Sequence, residues 1–229
     1  MTQVAVCFDI DGTLLTTARA GVAALEDAAE EVCGVRPELA SMKTAGLTDG
    51  EIARIVMDQC AGEPANGSID AFLRSYERHL PGRLPLRRGR VLPGVDEILS
   101  SLGERADVLC LLLTGNTEAG AAAKLSHYEL LGRFDGGAFC RGGESRESIA
   151  ERARGLVAHR LGAEPAPESF LVIGDTPADV RCGKAVGART VAVASGAYDV
   201  DALAAADPWR TFPAMPDATT FAALLVADE

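Results

Sequence analysis

The stretch that decides the fold is "VAVCFDIDGTLL", residues 4–15, in which an apolar run ends in two carboxylates. One residue separates Asp9 from Asp11, and like charges so close repel each other at a poorly solvated strand end. We therefore expect a cation, or a proton held by one of the two, to make this arrangement stable.

Other apolar runs have the same continuous character, namely "VLCLLLT" (108–114), "FLVIG" (170–174), "TVAVA" (190–194) and, more weakly, "FDGGAF" (134–139). Continuous apolar runs are typical of strands buried on both faces. Helical patterns alternate with them over 94–103, 117–131, 146–161 and 178–186. This alternation predicts an α/β fold, a Rossmann-like parallel sheet core with helices on both faces.

Residues 16–90 interrupt this alternation with three helical stretches and no strand-like run. A connection of this length is too long for one crossover helix. We predict an inserted α-helical subdomain over 16–90, here called the cap, and a catalytic core made of 1–15 and 91–229. The return segment, 80–94, is rich in arginine. Its arginines are expected to be solvated, although an anionic tail of the substrate can bind one of them. They are Arg83, Arg87, Arg88 and Arg90. The tail of the chain reads as a loop and a last packing helix.

Composition narrows the class of protein. The 229 residues carry a net charge of −11, which argues against binding to nucleic acid or to anionic membranes. No run approaches the ~20 apolar residues that cross a bilayer, and the N-terminus lacks a signal-peptide pattern. We therefore expect the mature protein to begin here and to be cytoplasmic. The six cysteines include no CxxC pair, so a disulfide framework is not expected.

Polar clusters follow three of the predicted strands. The clusters are Asp9, Asp11 and Thr13; Thr114, Gly115 and Asn116; and Gly174, Asp175 and Asp179. Ligands of open parallel sheets bind at the carboxyl ends of the strands, so the three clusters are predicted to form one site.

The residue types in these clusters predict phosphoryl transfer. The carboxylates Asp9, Asp11 and Asp175 suit Mg²⁺, which prefers oxygen ligands and a substrate phosphate. A hydroxyl and backbone amides at 114–116, ahead of a helix, form an anion pocket. A metal, an anion pocket and a nucleophilic carboxylate together favour transfer of a phosphoryl group.

The motifs "DIDGTLL", "LLTGN" and "IGDTPADV", in this order and with a cap-sized insertion after the first, resemble the haloacid dehalogenase-like hydrolase superfamily. In detail the chain is similar to its phosphoglycolate phosphatase-like members. The resemblance implies that Asp9 is the nucleophile that forms an aspartyl-phosphate. Asp11 would protonate the leaving oxygen and then activate water, while its backbone carbonyl helps to hold Mg²⁺.

The resemblance also implies roles for the other motif residues. Thr13 would hydrogen-bond near the phosphate, and Thr114 would bind a phosphate oxygen with the Gly115 and Asn116 amides beside it. Asp175 would be a metal ligand. Asp179 would complete the metal site, where it orders the metal's water shell or a nearby cation.

The chain departs from the family pattern in the third motif, which usually carries a lysine. The segment ahead of the fourth-motif strand offers Arg146 at the start of a helix, and a guanidinium can bridge phosphate and carboxylate. Lys124 is the rival, although it lies roughly 12 Å along its helix at ~1.5 Å per residue. We predict that Arg146 serves and that Lys124 is the alternative.

The cap segment "KTAGLTDGEI", residues 43–52, has loop character between helices, and a loop of this kind faces the active site in capped relatives. Thr48 and Asp49 are therefore candidate specificity residues. A plain helix start at either residue is an equal alternative.

These observations predict a Mg²⁺-dependent phosphatase acting on a small phosphorylated metabolite, of which phosphoglycolate is one candidate. A phosphomutase of the beta-phosphoglucomutase kind uses the same Asp9 and Asp11 chemistry and stays open as an alternative. A non-catalytic binding protein is the third reading. The sequence leaves open whether the protein is a monomer or a homodimer.

Overall fold

The computed structural model describes residues 4–61 and 68–226; residues 1–3, 62–67 and 227–229, which the predicted domains include, lie outside the described residues. Within the described ranges six strands form one parallel sheet. They are β1 (Val4–Phe8), β4 (Val108–Thr117), β5 (Gly137–Cys140), β6 (Phe170–Gly174), β7 (Arg189–Val193) and β8 (Arg210–Phe212). Two short strands, β2 (Leu15–Thr16) and β3 (Arg90–Val91), form a separate antiparallel pair.

The sheet order is β5-β4-β1-β6-β7-β8, so the first strand lies in the middle of the sheet. Val6 of β1 lies opposite Cys110 of β4 on one side and Leu171 of β6 on the other. The chain completes one side of the sheet before it crosses to the other. The strand order therefore reverses beside β1, which is where open α/β sheets bind ligands.

The described helices are α1 (Ala20–Cys33), α2 (Asp49–Ala61), α3 (Ser68–Arg83), α4 (Val95–Gly103), α5 (Glu118–His127), α6 (Arg146–Leu161), α7 (Pro177–Ala185), α8 (Val200–Ala204) and α9 (Ala218–Leu224). Helices cover both faces of the sheet. Alternate side chains of β1 point to opposite faces, and those of each face enter a different apolar cluster. Val6 and Phe8 join a cluster with α4 and α9, whereas Cys7 joins one with α6 and α7. The predicted fold class is confirmed.

The three helices of the cap have an apolar cluster of their own, to which each of them contributes. Its largest fully buried members, Phe72 and Tyr76, lie on α3. The cluster supports the predicted division into a core of 1–15 and 91–229 and a cap of 16–90, and this division stays a prediction.

Several boundaries differ from the expectation. The range 16–90 does contain strand residues, since Thr16 and Arg90 pair across β2 and β3. The tail contains β8 as well as the last helix; three partly exposed residues at a sheet edge give no apolar run that a sequence pattern can detect. The helix predicted over 117–131 ends at His127, because Glu129 has a φ of 60° that a helix does not allow. No helix of the described ranges combines the length and the apolarity needed to cross a membrane.

Candidate active site

The carboxyl ends of β1, β4 and β6 place the three predicted clusters side by side. Asp9 follows β1 directly, and its backbone amide donates to the carbonyl of Ile173 in β6 at 2.9 Å. Thr114 lies in β4 and Asp175 follows β6, and all three side chains are buried. The topology of the sheet therefore brings residues that are far apart in the sequence into one site.

Three buried carboxylates form the centre of this site. Oxygen atoms of Asp9, Asp175 and Asp179 all lie within 4.8 Å of one another. Burial raises the pKa of Asp9 to about 7, and the neighbouring carboxylate of Asp179 adds to the shift. Burial, with Asp179 and Asp9 nearby, raises the pKa of Asp175 to about 8. Such a set of oxygen donors, destabilised by mutual repulsion, fits a hard divalent cation such as Mg²⁺.

Asp179 has its two oxygens engaged by protein groups. Oδ2 accepts from the backbone amide of Thr176 at 3.0 Å and from its hydroxyl at 2.6 Å, which forms a capping box at the start of α7. Oδ1 accepts from the guanidinium of Arg146. This arrangement favours the second of the two expected roles, in which Asp179 orders a nearby cation.

The carboxylate of Asp11 is not part of the group of three buried carboxylates. Its Oδ2 accepts from Nζ of Lys124 at 2.5 Å and from Nδ2 of Asn116 at 2.9 Å, and its side chain is 41% exposed. Lys124 also bonds Oδ1 of Asn116. Burial alone lowers the pKa of Lys124, but Asp11, Tyr76 and Asp49 together more than reverse this effect, and the pKa lies above its ordinary value. Lys124 reaches the site, despite its distance along α5.

Arg146 is the first residue of α6, and its side chain is buried. Nη2 lies 3.4 Å from Oδ1 of Asp9 and donates to Asp179 as well. Both candidates for the third-motif cation therefore contact acidic residues of the site: Arg146 contacts Asp9 and Asp179, and Lys124 contacts Asp11.

The remaining motif residues surround these groups. The Thr13 hydroxyl donates to Oδ1 of Asp175 at 3.3 Å. The Thr114 hydroxyl accepts from the backbone amide of Asn116 at 3.3 Å and from its Nδ2 at 3.0 Å. Gly115 lines the same cavity as Asn116.

Gly12 explains why a glycine follows Asp11. Its φ is +85°, and a Cβ atom there would lie 2.3 Å from Oδ2 of Asp175. Only glycine meets both conditions without displacing the carboxylate. The turn of the first motif and the acid of the fourth are thus packed directly on each other.

The two specificity candidates of the cap differ in position. Thr48 is buried and forms a capping box, because its hydroxyl accepts from the Glu51 amide at 3.1 Å while Glu51 accepts from the Thr48 amide at 2.8 Å. Asp49 accepts from the backbone amide of Thr117 at 2.8 Å, which joins the cap to the core, and it lines the cavity. Burial raises its pKa to about 6, against the opposing charge of Lys124.

A cavity of about 590 Å³ lies over the strand ends, between the core and the cap. Its lining includes polar residues outside the three motif clusters: Arg19, Tyr76, Arg88, Arg90, Thr176 and Ser195. Ser195 follows the apolar run of β7, so the rule that located the other clusters applies to it too. No sequence pattern marks Tyr76 as a residue of the cavity, since its position there depends on how α3 packs.

Comparison with known proteins agrees with this architecture. A family model described as haloacid dehalogenase-like hydrolase matches residues 4–187, and the chain belongs to that family. The expected family and the expected hydrolytic enzyme class are confirmed. A comparison with curated protein sequences gives no match.

Solved structures with the same fold cover nearly the whole chain. A hydrolase from Pseudomonas syringae is 20% identical, with a TM-score of 0.72 and coverage of 98% of this chain and 100% of its own. A predicted phosphoglycolate phosphatase from Haemophilus somnus is 18% identical, with a TM-score of 0.70 and 97% of each chain covered. A putative beta-phosphoglucomutase from Bacteroides vulgatus is 21% identical, with a TM-score of 0.66 and coverage of 98% and 89%. At these identities the likeness concerns the fold.

Proposed function

We propose that this protein is a Mg²⁺-dependent phosphatase that hydrolyses a small phosphorylated metabolite through an aspartyl-phosphate on Asp9. The observation that carries the proposal is the position of Asp9. It is a buried carboxylate at the switch point of the sheet, within 4.8 Å of Asp175 and Asp179 and 3.4 Å from Arg146. The likeness to the predicted phosphoglycolate phosphatase from Haemophilus somnus supports phosphoglycolate as one candidate substrate.

The first step begins with the phosphate group in the cavity above Asp9. Arg146 and Lys124 offset the repulsion between the anionic phosphate and the buried carboxylates, and Thr114 with the Gly115 and Asn116 amides binds its oxygens. An oxygen of Asp9 attacks phosphorus, and the bond from phosphorus to the leaving oxygen breaks. Asp11 gives its proton to that oxygen, so the alcohol departs neutral.

The second step returns the enzyme to its starting state. Asp11, now a carboxylate, takes a proton from water as the water oxygen attacks phosphorus, and the bond to Asp9 breaks. Inorganic phosphate leaves. Lys124 and Asn116, which bond Oδ2 of Asp11, orient this carboxylate for both proton transfers.

Asp9 and Asp175 would hold the metal ion through their carboxylates, with the Asp11 backbone carbonyl and with Asp179 supporting the site. A bound Mg²⁺ supplies charge neutralisation for the phosphate and for the nucleophilic carboxylate. The mutual repulsion of the buried acids supports this assignment.

A phosphomutase is the second candidate, and the likeness to the putative beta-phosphoglucomutase from Bacteroides vulgatus supports it. A mutase returns the phosphoryl group from Asp9 to the substrate, whereas a phosphatase releases it to water. Hydrolysis needs no group beyond those described, and we therefore favour the phosphatase. A non-catalytic binding protein is disfavoured by the intact set of Asp9, Asp11, Thr114 and Asp175.

The test is phosphate release from p-nitrophenyl phosphate and from a metabolite library, with Mg²⁺ and with EDTA. We expect Mg²⁺-dependent release that Asp9→Asn abolishes while the thermal unfolding transition remains. Sugar phosphates that are isomerised without phosphate release would favour the mutase. If the wild-type protein neither releases phosphate from any compound of the library nor isomerises one, both enzyme assignments would be overturned.

The remaining expectations belong to the same proposal. The net charge of −11 supports a small-molecule partner over nucleic acid or an anionic membrane. A cytoplasmic location and a monomeric or homodimeric state complete the proposal. Fractionation and sedimentation are the measurements that check them.

A further inference from the structure

Two arginines of the return segment line the same cavity as the acids of the site. Arg88 and Arg90 both contribute to its wall, whereas Arg87 between Leu86 and Arg88 does not. Alternate residues of an extended chain point to the same side, which explains why 88 and 90 share a side and 87 does not. Both side chains are exposed to solvent, as the composition of the segment predicts, and both also line the cavity.

Arg88 and Arg90 have no ion-pair partner among the residues of 4–61 and 68–226. Arg83, earlier in the same segment, differs from them because it pairs with Asp27. In a chain with 33 acidic residues and 22 lysines and arginines, two neighbouring arginines without an acid on the wall of a cavity need an explanation.

The backbone that carries these arginines is held against the first motif. Arg90 pairs with Thr16 across β3 and β2, and the Leu92 amide donates to the Leu14 carbonyl at 2.9 Å. Between the arginines, a Cβ on Gly89 would lie 2.4 Å from the Thr16 carbonyl oxygen and 1.9 Å from the Tyr128 hydroxyl. The close packing at Gly89 fixes the backbone that carries the two guanidinium groups.

The charged residues that line the cavity also indicate a site for an anionic group. Among the described residues that line it, five are cationic and four are acidic, in a protein whose net charge is strongly negative. Lys124 and Arg146 are engaged by the acids of the site, and Arg19 donates to the Leu39 carbonyl at 2.7 Å. Arg88 and Arg90 are the lining cations whose side chains have neither a hydrogen bond nor an ion pair within the described ranges, which leaves both available to bind a group of the ligand.

We propose that Arg88 and Arg90 bind a second anionic group of the substrate, a carboxylate or a further phosphate, while the reacting phosphate lies at Asp9. This inference rests on the proposed function and adds the class of substrate: phosphomonoesters that carry two anionic groups. A guanidinium offers paired donors that match both carboxylate and phosphate oxygens.

The experiment compares matched substrates that differ in the second group. Phosphoglycolate is paired with ethyl phosphate to test a carboxylate, and fructose 1,6-bisphosphate is paired with fructose 6-phosphate to test a second phosphate. For each pair the readout is the ratio of the two kcat/KM values, in wild type, Arg88→Gln, Arg90→Gln and the double variant. Arg87→Gln is the matched control, since Arg87 is exposed like Arg88 and Arg90 but does not line the cavity.

We expect one of the two pairs to show a preference for the doubly anionic member. The double variant should reduce that ratio by about 10- to 100-fold, the usual value of hydrogen bonds to charged groups. Arg87→Gln should leave the ratio at its wild-type value. The pair that shows the preference identifies the second group as a carboxylate or as a phosphate. Equal ratios in wild type and the double variant for both pairs would overturn the proposal.

A binding measurement separates this proposal from the proposed function. Calorimetric titration of the catalytically inert Asp9→Asn protein with the same four compounds requires no turnover. Tighter binding of a doubly anionic compound that the double Arg88→Gln/Arg90→Gln change removes would support the proposal even if the wild-type protein released no phosphate. Hydrolysis of p-nitrophenyl phosphate by the wild type, without any such difference in binding or kcat/KM, would leave the phosphatase standing and refute the second anionic site.

Discussion

The guanidinium of Arg146 lies 3.4 Å from the carboxylate of Asp9, the residue that begins the site on the first strand of the sheet. It bonds Asp179 from the same nitrogen, so a cation on α6 connects acids that follow two different strands. Lys124 makes the corresponding contact with Asp11. Arg146 and Lys124 thus form ion pairs with different acidic residues of the site.

This division predicts an order of effects on catalysis. Arg146→Ala should reduce kcat on p-nitrophenyl phosphate by about 10²- to 10³-fold, as loss of one preorganised donor to a phosphate does. Lys124→Ala should cost less, because Asn116 still bonds Asp11. Steady-state kinetics on both variants is the measurement, with circular dichroism to confirm folding. An active Arg146→Ala protein beside an inactive Lys124→Ala protein would reverse the assignment of the third-motif cation.

The buried acids predict a stability that depends on pH and Mg²⁺. The pKa of Asp175 is raised to about 8, so between about pH 4 and pH 8 the folded protein holds a proton that the unfolded chain has released. The free energy of unfolding of the Mg²⁺-free protein therefore falls as the pH rises from about 4 to about 8. In EDTA at pH 8, Asp175→Asn should unfold at a higher temperature than wild type, and the gap should narrow at pH 5. Thermal unfolding in EDTA and in Mg²⁺ checks this, and Mg²⁺ should stabilise wild type more than the variant.

Gly12→Ala should be severely damaging. The left-handed backbone costs an alanine about 1 kcal/mol, and the added Cβ would displace the carboxylate of Asp175. We expect a lower unfolding temperature and loss of most activity. Gly155→Ala is the control, since Gly155 lies within α6 with nothing within 4 Å of the added atom, and it should stabilise the protein by about 0.5–1 kcal/mol. Equal effects of the two changes would contradict the packing described for the first motif.

The two cap candidates should separate by experiment. Thr48→Ala removes a helix cap and should lower the free energy of unfolding by about 1 kcal/mol. Asp49→Ala removes a buried hydrogen bond between cap and core and changes the cavity wall, so it should lower kcat/KM more than Thr48→Ala does. Denaturant unfolding and kinetics on both proteins give the comparison. A larger kinetic effect at Thr48 would favour Thr48 over Asp49 as the specificity residue.

The cap contains an ion-pair cluster whose contribution depends on pH. Asp27 accepts from Arg83 and, at 2.6 Å, from Arg36, and these bonds lower its pKa to about 2. A carboxylate whose pKa is lower in the folded protein stabilises the fold. This contribution is fully present at pH values above the unfolded pKa of about 3.9, and it is lost as the pH falls through 2. Asp27→Asn should cost about 1 to 2 kcal/mol at pH 7, since both arginines are partly exposed. Asp58→Asn is the control, because Asp58 is exposed on α2 and has no ion-pair partner within the described ranges. Denaturant midpoints of variant and wild type should converge from pH 7 to pH 2 only for Asp27→Asn.

Much of the site could be predicted because strand ends follow from apolar runs. Asp9, Thr114 and Asp175 come directly after or within such runs, and a parallel sheet gathers them at one edge. The direction of a side chain beyond the strand end is not given by this rule. The motif pattern predicts Asp11 among the metal-facing carboxylates, yet its side chain turns to Lys124. That contact depends on how α5 packs.

The contribution of the cap was harder to predict. Arg88 and Arg90 belong to a segment whose composition is that of a solvated linker, and the β2–β3 pairing holds this segment beside the cavity. The strands β2 and β3 have two residues each, which is too short for a periodic sequence pattern. The same limit applies to β8 at the edge of the sheet.

The pairing of Thr16 with Arg90 has a mechanical consequence. Both passages of the chain between core and cap run through this one ladder, so they cannot separate from each other without breaking it. If the cap helices move about this ladder, Arg90 moves little because it belongs to the ladder, and Arg88 lies only two residues before it. A substrate group bound by these two arginines would then keep its position while the cap helices move.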